Sequence, residues 1–114
     1  MNRTEFKGYV GEYLAMFLLI AKGYSILEHR YRTVCGEIDI IARKKNTIAF
    51  VEVKSRKNEE KCLIALTPKQ LQRVQNAAQI FFKRNPKYQN YFSSFDVILV
   101  ADWKIPVHIK NIST

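Results

Sequence analysis

The stretch Gly36–Arg56, GEIDIIARKKNTIAFVEVKSR, constrains this chain more than any other. Two β-branched, apolar-rich runs, Ile38–Ala42 and Ile48–Val53, flank the polar turn Lys44-Lys45-Asn46-Thr47, the pattern of an antiparallel hairpin. Charge sits inside runs that otherwise look buried. Side chains alternate faces along a strand, so Glu37, Asp39 and Ile41 are expected on one face of the first, and Ile48, Phe50, Glu52 and Lys54 on one face of the second. With Lys45-Asn46 as a two-residue loop, Lys44 pairs with Thr47, Asp39 falls opposite Glu52, and Glu37 opposite Lys54. A longer loop that shifts the pairing by two residues keeps this face pattern; a shift of one destroys it. Facing carboxylates weaken a ladder unless a cation lies between them. Converging oxygen ligands suit a hard divalent ion, Mg²⁺ or Mn²⁺.

Such an ion lowers the pKa of bound water and so makes a nucleophile. Lys54, two residues after Glu52 on the same face, can reach that water or a phosphate oxygen gaining charge in the transition state. Asp39, Glu52 and Lys54 are therefore the parts that phosphodiester hydrolysis needs. The alternative is a surface ion-pair face on an exposed hairpin. Ile48 and Phe50 argue against it, because carboxylates among apolar side chains are costly without a metal or lysine to compensate.

A chain of 114 residues forms one domain with one ordinary core, here taken as residues 1–114. A hydrophobic fraction of 47% with 25% charged residues is that of a globular protein. The net charge of +9, from 19 Lys and Arg against 10 Asp and Glu, favours a polyanionic partner, nucleic acid before an acidic membrane surface. Cys35 and Cys62 have neither CxxC nor zinc-ligand spacing and read as free thiols in a reducing compartment. The apolar run Leu14–Ala21 is too short to span a bilayer and has no cleavage-site pattern. No membrane association and a cytoplasmic location are expected.

Thr4 is a candidate N-cap for a first helix reaching about Lys22 and ended by Gly23. Val10, Leu14, Phe17, Leu18 and Ala21 follow helical spacing as its buried stripe, while Gly8, Gly11 and Ala15 leave one side bare, as if backbone must approach another element. Glu12 lies near that bare side; a solvated outer-face position is the alternative. Tyr24–Arg32 reads as a strand, Arg56–Lys61 as a charged loop, and Thr67-Pro68 as a helix start that Asn85-Pro86 ends. Leu71, Val74, Ala78, Phe81 and Phe82 form the core stripe of this second helix. Lys69, Gln70 and Arg73 cluster at its start, where free N–H groups suit phosphate, although on the sequence alone an ordinary solvated face is the favoured explanation. Arg56, Lys44 and Lys45 would add basic contacts to a phosphate backbone. Phe95–Ala101 reads as a buried central strand, and Trp103–Ile112 as a short edge strand after Pro106. The expected fold is an α/β domain with a mixed central sheet in the order α-β-β-β-α-β(-β).

The Asp…Glu-x-Lys arrangement on a hairpin behind a glutamate-bearing helix resembles the PD-(D/E)XK nuclease superfamily. More closely, the chain resembles the YraN-like bacterial proteins, a largely uncharacterised family of predicted endonucleases similar to archaeal Holliday junction resolvases. The matching pieces are Gly11-Glu12, Gly23-Tyr24, Gly36–Ala42 (GEIDIIA), Phe50–Arg56 (FVEVKSR), Thr67-Pro68-Lys69 and Phe95-Asp96-Val97. This resemblance implies a restriction-endonuclease-like fold and metal-dependent cleavage of DNA, branched DNA included, by a homodimer where junctions are cut. It implies Asp39 and Glu52 as metal ligands with the Val53 carbonyl, Lys54 as catalytic lysine, and Glu12 as the acid that completes the site. Lys69 or Gln70 would be auxiliary contacts. The chain departs from the family at Lys45-Asn46, in place of an Asp/Gly-rich turn, and at Arg30, where asparagine is expected. A nucleic-acid-binding module that keeps the fold without robust cleavage is the alternative function.

Overall fold

The chain runs α1 (Arg3–Ala21), β1 (Ser25–Thr33), β2 (Gly36–Lys44), β3 (Thr47–Arg56), α2 (Glu59–Ile64), α3 (Pro68–Arg84), a 3-10 turn at Pro86–Tyr88, β4 (Phe92–Ala101) and β5 (Val107–Ile109). The computed structural model describes the backbone of residues 3–112 and the side chains of residues 8–112. The strands form one mixed sheet in the order β1-β2-β3-β4-β5, with β3 and β4 parallel and the other neighbours antiparallel. Parallel pairing of β3 with β4 requires a crossover, which α2 and α3 supply.

The central strands are apolar along nearly their whole length because helices cover both faces. Ala15 and Leu19 of α1 pack on Ile40, Ala42, Ala49, Val51, Ile98 and Val100. On the other face Val74, Ala77, Ala78 and Phe81 of α3 pack on Ile38, Ile41, Ile48 and Phe50. Phe50 lies 5.5 Å from the ring centres of both Phe82 and Phe95. Thr67 caps α3 by accepting the Gln70 N–H, with Pro68 in the first turn, and Asn85 ends it, as the sequence indicates. Gly23, at φ 94°, closes α1 in a left-handed conformation that favours glycine.

Three expectations are corrected. The stripe assigned to the α1 core faces outward: Val10, Leu14, Phe17 and Ala21 are exposed, and Phe17 retains 70% of its accessible surface. Its core face is the small-residue side, Gly11, Ala15 and Leu19. A Cβ on Gly11 would lie 2.5 Å from Ser55 Oγ, so only glycine lets α1 approach β3 this closely. Thr4 lies inside α1 and is not its cap. The stretch Arg56–Lys61 is not simply a loop, since Asn58 accepts the Lys61 N–H at 2.9 Å and starts α2. Glu59 and Glu60 suit its positive end, and Cys62 is its buried residue.

Candidate active site

The hairpin keeps the expected register from Lys44–Thr47 to Ile40–Val51, and there the ladder stops. Asp39 and Glu52 are next in register but do not pair through backbone. Instead Asp39 Oδ2 accepts the N–H of Val53 at 2.8 Å, so a side chain takes the place of a ladder carbonyl. Side-chain alternation also breaks here. Ile38 and Ile41 both pack on the α3 side while Ile40 packs on the α1 side. Glu37, Asp39 and Ile41 therefore do not share one face, and Glu37 is exposed rather than paired with Lys54. The same reversal occurs in β1 at Arg30, whose φ is 57°, between the pairs His29–Ile40 and Tyr31–Ile38. Asparagine tolerates that left-handed conformation better than most residues; this chain adopts it with an arginine.

Glu52 and Lys54 point inward from β3, 9% and 5% exposed, with Lys54 Nζ 3.8 Å from Glu52 Oε1. Burial pushes the Glu52 carboxyl up to about 9, helped by a hydrogen bond with Asp39 and by that residue's charge, against the opposing pull of Lys54. Burial and the neighbouring Asp39 carboxyl both favour the protonated form of Glu52.

Glu12 is 8% exposed, which removes the solvated alternative. Its carboxylate accepts from His29 Nε2 at 2.7 Å, Arg30 Nε at 3.0 Å and Arg30 Nη2 at 3.1 Å. The Arg30 guanidinium stacks 3.8 Å from the centre of the Tyr9 ring. A small pocket of about 150 Å³ brings together Glu12, Arg30, Arg32, Glu37 and Asp39. The fit of Gly11 against Ser55 is what carries Glu12 to this place. Neither His29 nor Arg30 is foreseen as its partner, because residues 17 and 18 positions away leave no periodic signal; the unexpected Arg30 is the nearest clue.

Among the described residues, no group of three His, Cys, Asp or Glu side chains is gathered as a ligand set. Asp39, Glu52 and the Val53 carbonyl nevertheless fit Mg²⁺, which takes one or two carboxylates and keeps several waters. The Asp39–Glu52 carboxyl pair is the donor set such an ion would occupy.

The candidate nucleic-acid contacts separate into two groups. Arg56 is exposed at the same end of β3 as Lys54. Lys69 and Arg73 are exposed in the first half of α3, and that half meets β2 closely, since a Cβ on Gly36 would run into the Arg73 carbonyl. Gln70 is half-buried, and its Oε1 is buried without a hydrogen-bond partner. Lys44 and Lys45 do not join them. From Thr47, the ladder partner of Lys44, to Lys54 is about 23 Å at the usual strand rise.

The profile of the Uncharacterised protein family UPF0102 matches residues 11–100. The chain belongs to this family. A UPF0102 protein of Bradyrhizobium sp. (strain BTAi1) is 47% identical over 102 residues, covering 90% of this chain and 75% of the relative. One from Nitrobacter winogradskyi is 44% identical over 102 residues, 90% of this chain and 86% of the relative. A third, from Chelativorans sp., is 41% identical over 111 residues, 97% and 90% of the two chains. The match includes the α1 glutamate, the whole hairpin and β4 up to Val100. No helix among the described residues is long and apolar enough to cross a membrane.

Proposed function

We propose that this UPF0102 protein is a metal-dependent endonuclease with a restriction-endonuclease-like fold of the PD-(D/E)XK kind, acting on DNA and on branched DNA in particular. The observation that carries this reading is the carboxyl pair Asp39–Glu52 beside the buried Lys54, at the point where β2 parts from β3. A structural role alone does not account for two carboxyls and an ammonium in a sheet interior, where replacing them with apolar residues would often stabilise.

In this reading Asp39, Glu52 and the Val53 carbonyl would hold Mg²⁺ or Mn²⁺, which supplies an activated water when bound. Asp39 is held in place by the Val53 N–H and so is oriented before any ligand arrives. Lys54 presents its ammonium to a phosphate oxygen as charge grows there. Glu12, fixed by His29 and Arg30, closes the site from α1, and release of one Arg30 bond would free an oxygen for the ion. Lys69, Arg73 and Arg56 hold the phosphate backbone near the site, with Gln70 an auxiliary donor. Cutting a four-way junction takes two matched incisions, so that substrate carries a two-fold dimer with it.

One observation favours a second reading, a nucleic-acid-binding module without robust cleavage. The Glu12 carboxylate is taken up by Arg30 and His29, which leaves two acids for an ion. Cleavage of labelled single-stranded, duplex, flap and four-way-junction DNA with Mg²⁺, Mn²⁺ or EDTA separates the two. Asp39→Asn, purified in parallel, is expected to abolish cutting with binding retained, and Lys54→Ala to lower it ~100-fold or more. Equal cutting by wild type and Asp39→Asn would reject the active-site assignment. Salt-sensitive binding without cutting would establish the binding module.

A further inference from the structure

At the other end of the sheet lies a second polar assembly that the nuclease chemistry does not use. Asp96 of β4 is 2% exposed. Its Oδ1 accepts the Ser94 hydroxyl at 2.5 Å and the Asn111 N–H at 2.9 Å, and its Oδ2 accepts from His108 Nε2 at 2.7 Å. Burial pushes this carboxyl up, but the bonds from His108, Asn111 and Ser94 outweigh it and hold it below the ordinary aspartate value. With Nε2 donating, His108 Nδ1 is an acceptor, and Lys22 Nζ donates to it at 2.5 Å. The His108 side chain is itself only 2% exposed. The relay Asp96–His108–Lys22 thus fixes an ammonium in one place. Immobilising a lysine side chain costs rotamer entropy that a freely solvated lysine keeps.

The fixed lysine stands among other cations. Burial lowers the Lys22 pKa, and the charges of Lys110 and Lys44 lower it further, against the pull of Asp96. Lys44, Lys45 and Lys110 line an open cleft of about 520 Å³ beside the β2–β3 turn, together with Asn46, Ser93 and Asn111. Among the described residues the ion pairs involve none of these lysines, and Asp96, the acid beside them, is saturated by its own bonds. The cleft lining therefore gathers positive charge and neutral side-chain donors, and the acid beside it, Asp96, is buried and held by Ser94, His108 and Asn111. An anion with several acceptor oxygens meets both demands.

We propose that this cleft is a phosphate-binding site, in which Lys44, Lys45 and Lys110 of its lining, with Lys22 beside them, neutralise the anion and Asn46, Ser93 and Asn111 donate to its oxygens. The phosphate is either free, or terminal on a nucleotide, or part of a nucleic-acid backbone. The proposal does not depend on the nuclease reading, since the cleft is about 23 Å along β3 from Lys54.

The test is a two-dimensional NMR titration of the full chain with inorganic phosphate against chloride at constant ionic strength. A second arm uses a short oligodeoxynucleotide without terminal phosphate. Saturable shifts confined to the amides of Asn46, Ser93 and Asn111 are expected, weakened about tenfold in Lys22→Gln and Lys110→Gln. Lys87→Gln, at an exposed lysine outside the cleft, is expected to titrate as wild type. Saturation of the Asn46, Ser93 and Asn111 amides by inorganic phosphate assigns a free or terminal group, and their saturation by the oligonucleotide alone assigns a backbone phosphate; each upholds the site, whereas oligonucleotide shifts confined to residues around Lys54 and Lys69 would overturn it. Shifts scattered over the basic surface, or equal weakening in Lys87→Gln, would overturn it.

Discussion

Glu52 makes the stability of this protein depend on pH in a direction opposite to that of most acids. Its folded value of about 9 lies above the ordinary 4.5, so the folded chain keeps a proton that the unfolded chain loses between those values. Its contribution is fully present below pH 4.5 and is lost as pH rises through about 9. Glu52→Gln preserves a hydrogen-bonding side chain of the same shape and carries no titrating proton. In metal-free buffer its melting temperature is expected to gain on wild type by several degrees between about pH 5 and 9. Parallel melting curves for the two proteins across that range would show that Glu52 retains no such proton. The trio Asp39, Glu52 and Lys54 is legible in the sequence because strand spacing and charge in apolar runs are local signals. The clamp of His29 and Arg30 on Glu12 is not, because it joins a helix to a strand through a left-handed residue.

Among the elements, α1 departs most from its sequence pattern. Helical spacing identifies one apolar stripe and a bare small-residue side on it, and most of that stripe, Val10, Leu14, Phe17 and Ala21, stays uncovered while Leu18 packs at the core edge. The physical reason is distance. Gly11 and Ala15 let the helix axis sink against β3, whereas a face of Leu14 and Phe17 would hold it away and carry Glu12 off the site. Leu19→Ala, at a fully buried position, is expected to cost ~2–5 kcal/mol. Phe17→Ala is expected to stay within about 0.5 kcal/mol of wild type. Urea unfolding midpoints of the two variants check this, and a larger loss in Phe17→Ala would return that stripe to the core. Helix α3 behaves otherwise: its cap, its proline and most of its buried stripe agree with the sequence, because that pattern has one apolar face only.

On the scale of the whole molecule the excess of positive charge is distributed over both ends of the sheet. Lys69, Arg73 and Arg56 stand towards the carboxyl pair, and Lys22, Lys44, Lys45 and Lys110 stand at the far end. Binding of DNA to a surface of net charge +9 is expected to weaken about tenfold or more between 50 and 200 mM salt, as counterions released from phosphates are lost as a driving force. Equilibrium binding across that range measures it, and affinity independent of salt would exclude phosphate contacts as its source.

By itself the sequence determined the hairpin, its two-residue turn and register, the α3 boundaries, the mixed α/β order and the membership of Asp39, Glu52 and Lys54 in one region. These follow from periodicity and turn chemistry acting over a few residues. Only the tertiary structure decided which side of α1 is buried, where β2 leaves β3, which partners hold Glu12, and that Lys22, Lys44 and Lys110 meet around the Asp96–His108 relay. Each of these depends on elements far apart in the chain reaching the same few ångströms, and that is set by packing and backbone strain rather than by any local pattern.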